Sequence, residues 1–165
     1  MAPRWTKDHW HEAPTGRWGF AKHASTDSSP SPSPKIWGTK DLPANPDYEA
    51  PDGSEIRLLL DTDAGGIAHA RIAAGAVSRA VVHQTVDEIW YVLSGLGDLW
   101  RLGPAGEETV SINGETCLTI PHGIRFQFRA RSSSPLEVLI GTFPRWPGAD
   151  EAVRCHGIWE SEQEP

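Results

Sequence analysis

Between Ser54 and Phe143 the chain is a series of short apolar runs, separated by segments rich in glycine, proline and asparagine. Within several runs apolar and polar residues alternate, which is the period of a strand with one buried face. The pattern predicts strands at EIRLLLD, IAHARIA, VSRAVVH, EIWYVL, GDLWRL, TVSI, TCLTI, IRFQFRA and LEVLIGTF. No segment of this region shows the spacing of a long helix. We therefore expect an all-β domain, either a double-sheet jelly roll or a small barrel.

The first 50 residues have a different composition. STDSSPSPSPK alternates serine with proline, and DLPANPDYEAPDG is rich in proline and acidic residues. Proline has no amide donor and disfavours helix at the residue before it, so neither helix nor sheet interior suits this segment. We predict an irregular N-terminal arm and linker over 1–50, a barrel over 51–146 and a tail over 147–165.

Large aromatic side chains lie on both sides of the predicted barrel. Trp5, Trp10 and Trp18 precede the linker, and a solvated segment seldom carries so many. We treat them as candidates for docking on a protein surface. Trp146 and Trp159 lie at the other end, and we expect them to pack across a barrel face or against a second subunit.

Composition and charge exclude several classes of function. A chain of 165 residues with 38% hydrophobic content fits one domain. A net charge of −7 argues against nucleic acid as a partner, because phosphate binding needs a basic face. No apolar stretch approaches the roughly 20 residues that span a bilayer, and the start lacks a secretory apolar region. We expect a cytoplasmic protein that does not bind a membrane.

One stretch carries glycine, histidine and glutamate at a recognisable spacing. Gly75 is followed by five residues, then by Val81, one further residue and His83, with four residues to Glu88 and six more to Gly95. This spacing resembles the first motif of the cupin family, G(x)5HxH(x)3,4E(x)6G. Val81 replaces the first histidine of that motif.

The segment GETCLTIPHGIRFQFRA resembles the second cupin motif, G(x)5PxG(x)2H(x)3N. Gly114, Pro121 and Gly123 are in place after one inserted residue. Phe126 stands in place of the histidine, and Ala130 in place of the asparagine. The resemblance implies a cupin-type double-stranded β-helix, a jelly-roll barrel with a ligand pocket inside.

The resemblance also bears on metal binding. In metal-binding cupins two histidines, a glutamate and the histidine of the second motif hold one ion, and only His83 and Glu88 match here. A functional site normally needs at least three protein ligands, and neither valine nor phenylalanine has a lone pair to offer. We expect no cofactor. The alternative is a divalent metal held through His83 and Glu88.

His83 and Glu88 are also candidates for acid and base catalysis. They would face opposite sides of one continuous strand, but the segment QTVD between them supplies a bend, and the family pattern turns both inward. Burial in an apolar mouth raises the pKa of a carboxyl group, and a histidine beside it makes a pair suited to proton transfer. The competing interpretation is a buried polar pair that only holds two strand ends together.

Strand alternation identifies further residues of the pocket. The predicted ligand-binding residues are Arg79, Val81, Trp90, Phe126 and Phe128. Arg79 would share a face with His83 and clamp a carboxylate or phosphate, or it would lie at the rim as a solvated charge. The aromatic residues would line the cavity or belong to the core.

Three functions remain open, because one fold hosts many chemistries. The first is metal-independent isomerisation, epimerisation or cyclisation of a small, partly apolar molecule. The second is a sensory or carrier barrel that binds such a molecule unchanged, and the third is a metal-dependent oxygenase. We also expect a homodimer, because strands such as EVLIGTF keep apolar residues on their outer face.

Overall fold

The computed structural model describes residues 37–131 and 133–161. The regular structure of these residues is entirely β, which confirms the predicted fold class. None of them forms a helix that could cross a membrane. The strands are β1 (Tyr48–Glu49), β2 (Glu55–Asp61), β3 (Gly66–Ile72), β4 (Val81–His83), β5 (Asp87–Ser94), β6 (Leu96–Gly103), β7 (Gly106–Asn113), β8 (Cys117–Ile120), β9 (Arg125–Ala130), β10 (Leu136–Phe143) and β11 (Ala152–Arg154).

The strands form two antiparallel sheets. Sheet A has the order β1-β2-β3-β10-β5-β8, and sheet B has the order β11-β4-β9-β6-β7. The hairpin between β5 and β6 links the sheets through Gly95, which has a φ of 91°. A side chain there would also collide with the carbonyl of Pro135, so this glycine of the first motif is required by its backbone.

Alternation along the strands builds the core between the sheets. In β5 the residues Glu88, Trp90 and Val92 are buried, whereas the residues between them are exposed. Successive strand residues point to opposite faces, so these three point into the barrel. The core cluster includes Ile56, Ala70, Ile72, Val81, Trp90, Val92, Leu99, Ile112, Ile120, Phe126, Phe128, Ala130, Leu136, Val138 and Ile140.

One predicted strand is shorter than its apolar pattern indicates. The run VSRAVVH gives a strand only at Val81–His83, preceded by an isolated bridge between Val77 and Arg129. The residues between the bridge and the strand make other hydrogen bonds. The amide of Arg79 donates to the carbonyl of Asp52, and the hydroxyl of Ser78 accepts from the Phe128 amide. The alternation of apolar and polar residues does not reveal these hydrogen-bond partners, which replace strand pairing.

Two short strands lie outside the predicted set. Tyr48–Glu49 pairs with β2 inside the range predicted as linker, and Ala152–Arg154 pairs with β4 inside the predicted tail. Trp5, Trp10 and Trp18 lie outside the described residues. The division into arm, barrel and tail at residues 50 and 146 stays a prediction.

The tail is anchored to sheet B by a buried amide. The side chain of Gln127 donates to the carbonyls of Ser78 and Trp159 and accepts from the amides of Ile158 and Trp159. The guanidinium of Arg129 lies 4.5 Å from the ring centroid of Trp159, a cation–π contact. Both hydrogen-bonding ends of one glutamine are therefore used to hold the tail.

Candidate active site

His83 and Glu88 lie at one end of the barrel, on consecutive strands. His83 is the last residue of β4, and Glu88 is the second residue of β5. The turn between them reverses the alternation, so both side chains point inward and are only 4% and 5% exposed. The structure thus brings together the two residues that the sequence predicted as an acid and base pair.

A carboxylate from the tail holds this turn. Glu151 is buried and accepts hydrogen bonds from the amide and hydroxyl of Thr85 and from the amide of Val86, at 2.6–2.8 Å. Sequence analysis missed Glu151, because it lies more than 60 residues beyond the turn in an irregular segment. Trp146 and Trp159 were a signal for a docked tail, but nothing in the sequence pointed to Glu151 itself.

The carboxyl group of Glu88 has one bonded and one open oxygen. The indole of Trp90 donates to Glu88 Oε2 at 2.7 Å. The other oxygen, Oε1, lies 3.9 Å from His83 Nδ1, which is too long for a hydrogen bond. His83 Nδ1 is buried and has no hydrogen-bond partner among the described residues. The facing atoms of the pair are therefore close to each other without being bonded.

Burial shifts the pKa values of Glu88 and His83 in opposite directions. Burial raises the pKa of Glu88 to about 8, assisted by the charges of Asp52 and Glu151 and opposed by the Trp90 hydrogen bond. Burial also lowers the pKa of His83 to about 4, against the attraction of Glu151. Near pH 7 both groups are neutral, so their contact is not an ion pair. Glu88 then holds a proton to donate, and His83 has a lone pair to accept one.

Aromatic rings surround the pair. The His83 ring makes edge contacts with Phe126 and Trp146, at centroid distances of 5.1 and 5.2 Å. Trp90 lies edge-on to Phe126 and Phe128, at 5.8 and 5.1 Å. The predicted residues Trp90, Phe126 and Phe128 therefore form one wall. Trp146 was expected to pack across a barrel face or against a second subunit, and it contacts the ring of His83.

The donor set does not fit a metal ion. Val81 and Phe126, which occupy two motif positions, are each 1% exposed and pack in the core. Across residues 37–131 and 133–161 no cluster of three or more histidine, cysteine, aspartate or glutamate side chains is arranged to hold one. One oxygen of Glu88 is already bonded to Trp90. We derive no chemical step through a metal.

Arg79 is held by the segment before β2. Its Nη1 lies 3.8 Å from the Glu49 carboxylate and 3.4 Å from the Pro51 carbonyl oxygen. Its backbone amide donates to Asp52. The predicted role of Arg79 in ligand binding stays a prediction.

Comparison with known proteins bears on the fold of the chain. No family model matches the sequence, and no curated protein matches it. The solved structure of Pac13, a nucleoside dehydratase, matches with a TM-score of 0.55 and 15% identity, over 70% of this chain and 88% of that chain. A Streptomyces Pac13 complex with uridine matches with a TM-score of 0.57 and 13% identity, over 74% and 95% of the two chains.

An oxalate decarboxylase from Bacillus subtilis matches with a TM-score of 0.61 and 12% identity. The match covers 74% of this chain and 33% of that chain. At such identities the likeness concerns the fold alone, and these proteins share one barrel architecture. The order of the strands, the position of the two motifs and this likeness agree: the chain has the cupin fold.

Proposed function

We propose that the barrel binds a small, partly apolar organic molecule and transfers a proton on it with His83 and Glu88, without a metal ion. The observation that carries the proposal is the buried, unbonded His83 Nδ1, 3.9 Å from Glu88 Oε1. A buried nitrogen without a partner is costly, so its retention needs an explanation. A ligand that bonds to this nitrogen supplies one.

The Trp90 contact determines where the proton of Glu88 resides. Because Oε2 accepts the indole hydrogen bond, the neutral carboxyl group carries its proton on Oε1, the oxygen that faces His83. One ligand oxygen at about 2.8 Å from both Oε1 and Nδ1 can accept from Glu88 and donate to His83. A hydroxyl group has both capacities, so we infer a hydroxyl-bearing ligand.

Catalysis requires the ligand to place two different atoms against the pair. His83 removes a proton from one ligand atom, and the Oε1 hydroxyl of Glu88 delivers a proton to another. The resulting imidazolium and carboxylate face each other, and return of the proton from Nδ1 to Oε1 through a bridging hydroxyl group or water restores both neutral groups. The ligand keeps its composition, as isomerisation, epimerisation and cyclisation require.

The aromatic wall suits a ligand with a flat or apolar part. Phe126 and Trp146 contact the His83 ring edge-on, and Phe128 continues the wall beside Trp90. A Streptomyces protein of similar fold was solved with uridine, a molecule with one flat ring and several hydroxyl groups. Uridine is therefore a suitable first probe.

A non-catalytic binding barrel is the second candidate. A histidine with a pKa of about 4 is a weak base near neutral pH, which favours binding over proton removal. In this case the hydroxyl of the ligand would bond to the same two atoms and dissociate unchanged.

The His83→Gln substitution tests the proposal. A panel of hydroxylated molecules that includes uridine is first screened by thermal shift, since a ligand at 100 times its Kd stabilises by about 2.7 kcal/mol. Each ligand found is then incubated with the protein and analysed by mass spectrometry and NMR. We expect the variant to bind within about 1 kcal/mol of wild type, with turnover reduced roughly 10²- to 10⁴-fold.

The control is His122→Gln. His122 is exposed and bonds to Asp87, the residue before Glu88. The substitution therefore removes a histidine from the same end of the barrel. This variant should keep wild-type turnover. Full turnover by the His83 variant would refute proton transfer by this residue, and recovery of every bound ligand unchanged would favour the binding barrel.

We also propose that two chains associate through the outer face of sheet A. Ile67, Ile89, Tyr91, Leu93 and Phe143 are each between 43% and 47% exposed. They lie on the neighbouring strands β3, β10 and β5, and they form one apolar surface. A second copy offers the same surface, which makes a twofold contact self-complementary.

A further inference from the structure

Arg101 points into the barrel at the same end as the pair. In β6 it shares a face with the buried core residue Leu99. Arg101 lies opposite Phe126, which in turn lies opposite Val81, so the three form one row across sheet B. Residues directly opposite each other share a face, and two strand spacings amount to about 10 Å. His83 is two residues beyond Val81 in β4 and therefore points to the same face. The guanidinium of Arg101 thus lies on the same side of sheet B as His83.

The guanidinium is largely buried and incompletely bonded. Its side chain is 18% exposed. Nη1 donates to the carbonyl of Thr119 at 2.6 Å, and Nη2 lies 2.8 Å from the Glu108 carboxylate. Nε is buried and has no partner among the described residues. The Nε and Nη2 edge, which pairs side-on with oxyanions, thus has one of its two donors free.

Arg101 lines a groove of about 230 Å³. Gly103 packs directly against Ile124 in this lining, because a side chain built on Gly103 would collide with that isoleucine. Pro121 and Ile124 supply an apolar side. The lining residues are Arg101, Gly103, Ala105, Gly106, Glu108, Thr119, Pro121 and Ile124.

We infer that this groove binds an oxyanion of the ligand, a carboxylate or a phosphate, through the Nε and Nη2 edge of Arg101. The inference rests on the proposed function, because it adds a second recognition point to the same ligand. Glu108 occupies the edge in the free protein. Its side chain is 56% exposed, so it can leave for solvent at little cost when an oxyanion takes its place.

The arrangement selects a class of ligand. A molecule with a hydroxyl group for the pair and an anionic group for Arg101 gains a two-point attachment. A neutral relative leaves Arg101 paired with Glu108 and gains nothing there. Sequence analysis considered Arg79 either as an anion clamp or as a solvated charge at the rim, and its role stays a prediction. The alternation in GDLWRL, where arginine is two residues from a core leucine, was the signal for Arg101.

The test is an NMR titration of the ¹⁵N-labelled protein with benzoate, with benzamide as its neutral counterpart of the same shape. We expect benzoate to shift the Arg101 Nε–H resonance and the amides of residues 103–108, and benzamide to bind at least about tenfold more weakly. Arg101→Gln should weaken benzoate binding by a similar factor. Added salt should weaken it too.

Glu108→Gln separates recognition from a structural role of Arg101. This substitution removes the competing carboxylate, so benzoate should bind several times more tightly than to wild type. A merely structural arginine predicts no gain. Arg125→Gln is the matched control, because Arg125 is an exposed arginine on the neighbouring strand and should change nothing.

Several results would overturn the inference. They are undetectable benzoate binding, equal binding of benzamide, or no tightening with Glu108→Gln. Its failure is distinguishable from failure of the proposed function. If His83→Gln loses turnover while Arg101→Gln binds benzoate as the wild type does, only the oxyanion site is rejected. The reverse result would reject only proton transfer.

Discussion

Glu151 accepts hydrogen bonds from both the amide and the hydroxyl of Thr85, at 2.6 and 2.8 Å, although the two residues are 66 positions apart in the chain. A third bond, from the amide of Val86, completes the contact. The turn that separates His83 from Glu88 is therefore fixed by the tail. The distance between these two side chains depends on a residue that bonds to neither.

Glu151→Ala should destabilise the fold and loosen the pair. It leaves the buried amide of Val86 and the amide of Thr85 without an acceptor, and each lost bond of this kind costs about 1–3 kcal/mol. We expect the free energy of unfolding, measured in urea, to fall by about 2–4 kcal/mol. Asp150→Asn is the control, because only the backbone carbonyl of Asp150 is hydrogen-bonded, to Gln84. An equal loss in both variants would contradict the role of Glu151.

Glu88 should make stability depend on pH. Its pKa is about 8 in the folded state against an ordinary value of 4.5, so the folded protein binds the proton more tightly and loses stability as pH rises through this range. His83 has a lowered pKa, and its contribution is lost only as pH falls from 6.5 towards 4. Between pH 6.5 and 8, only Glu88 of these two residues should change the free energy of unfolding with pH.

We therefore expect the wild-type protein to lose about 2 kcal/mol relative to Glu88→Gln between pH 6.5 and 8. Glutamine keeps an acceptor for the Trp90 indole but cannot titrate. Parallel unfolding curves of the two proteins at several pH values measure the difference. A constant difference across this range would mean that Glu88 is already ionised at pH 6.5.

Trp90→Phe should raise the pKa of Glu88 further. The indole hydrogen bond stabilises the carboxylate, so its removal favours the protonated form. Trp100→Phe is a matched control, because the Trp100 indole also donates to a glutamate, Glu107, at 2.6 Å, outside this site. A ¹³C NMR titration of the Glu88 carboxyl carbon measures the shift. The proposed effect is refuted if both variants titrate like wild type.

The proposed dimer predicts a mass of about twice 18.1 kDa in solution. Tyr91→Lys should dissociate it, because a lysine at the centre of the outer face of sheet A would lose its hydration on contact. Leu96→Lys is the control, since Leu96 is equally exposed, at 43%, on a strand of sheet B. Light scattering on all three proteins checks the prediction. A wild-type monomer at micromolar concentration would exclude the interface.

The predictable part of the fold rests on local patterns. Alternation in EIWYVL identified Glu88, Trp90 and Val92 as one inward face, and the motif spacing identified His83 and Glu88 as neighbours. The contacts of Glu151 and Trp146 could not be found this way, because their partners lie some 60 residues earlier, and hydrogen bonds or ring contacts from an irregular tail leave no periodic trace. Arg79 shows the opposite error: its run looks like a strand, but its backbone bonds to Asp52.

The short strand β11 also protects one edge of sheet B from aggregation. Its residues 152–154 use the outer hydrogen-bonding groups of β4, which would otherwise offer an unpaired strand to any extended chain. Removal of the tail would therefore do more than disturb His83. It would expose a template for strand addition beside a valine-rich segment, so a truncated chain should precipitate or form fibrils instead of a smaller soluble barrel.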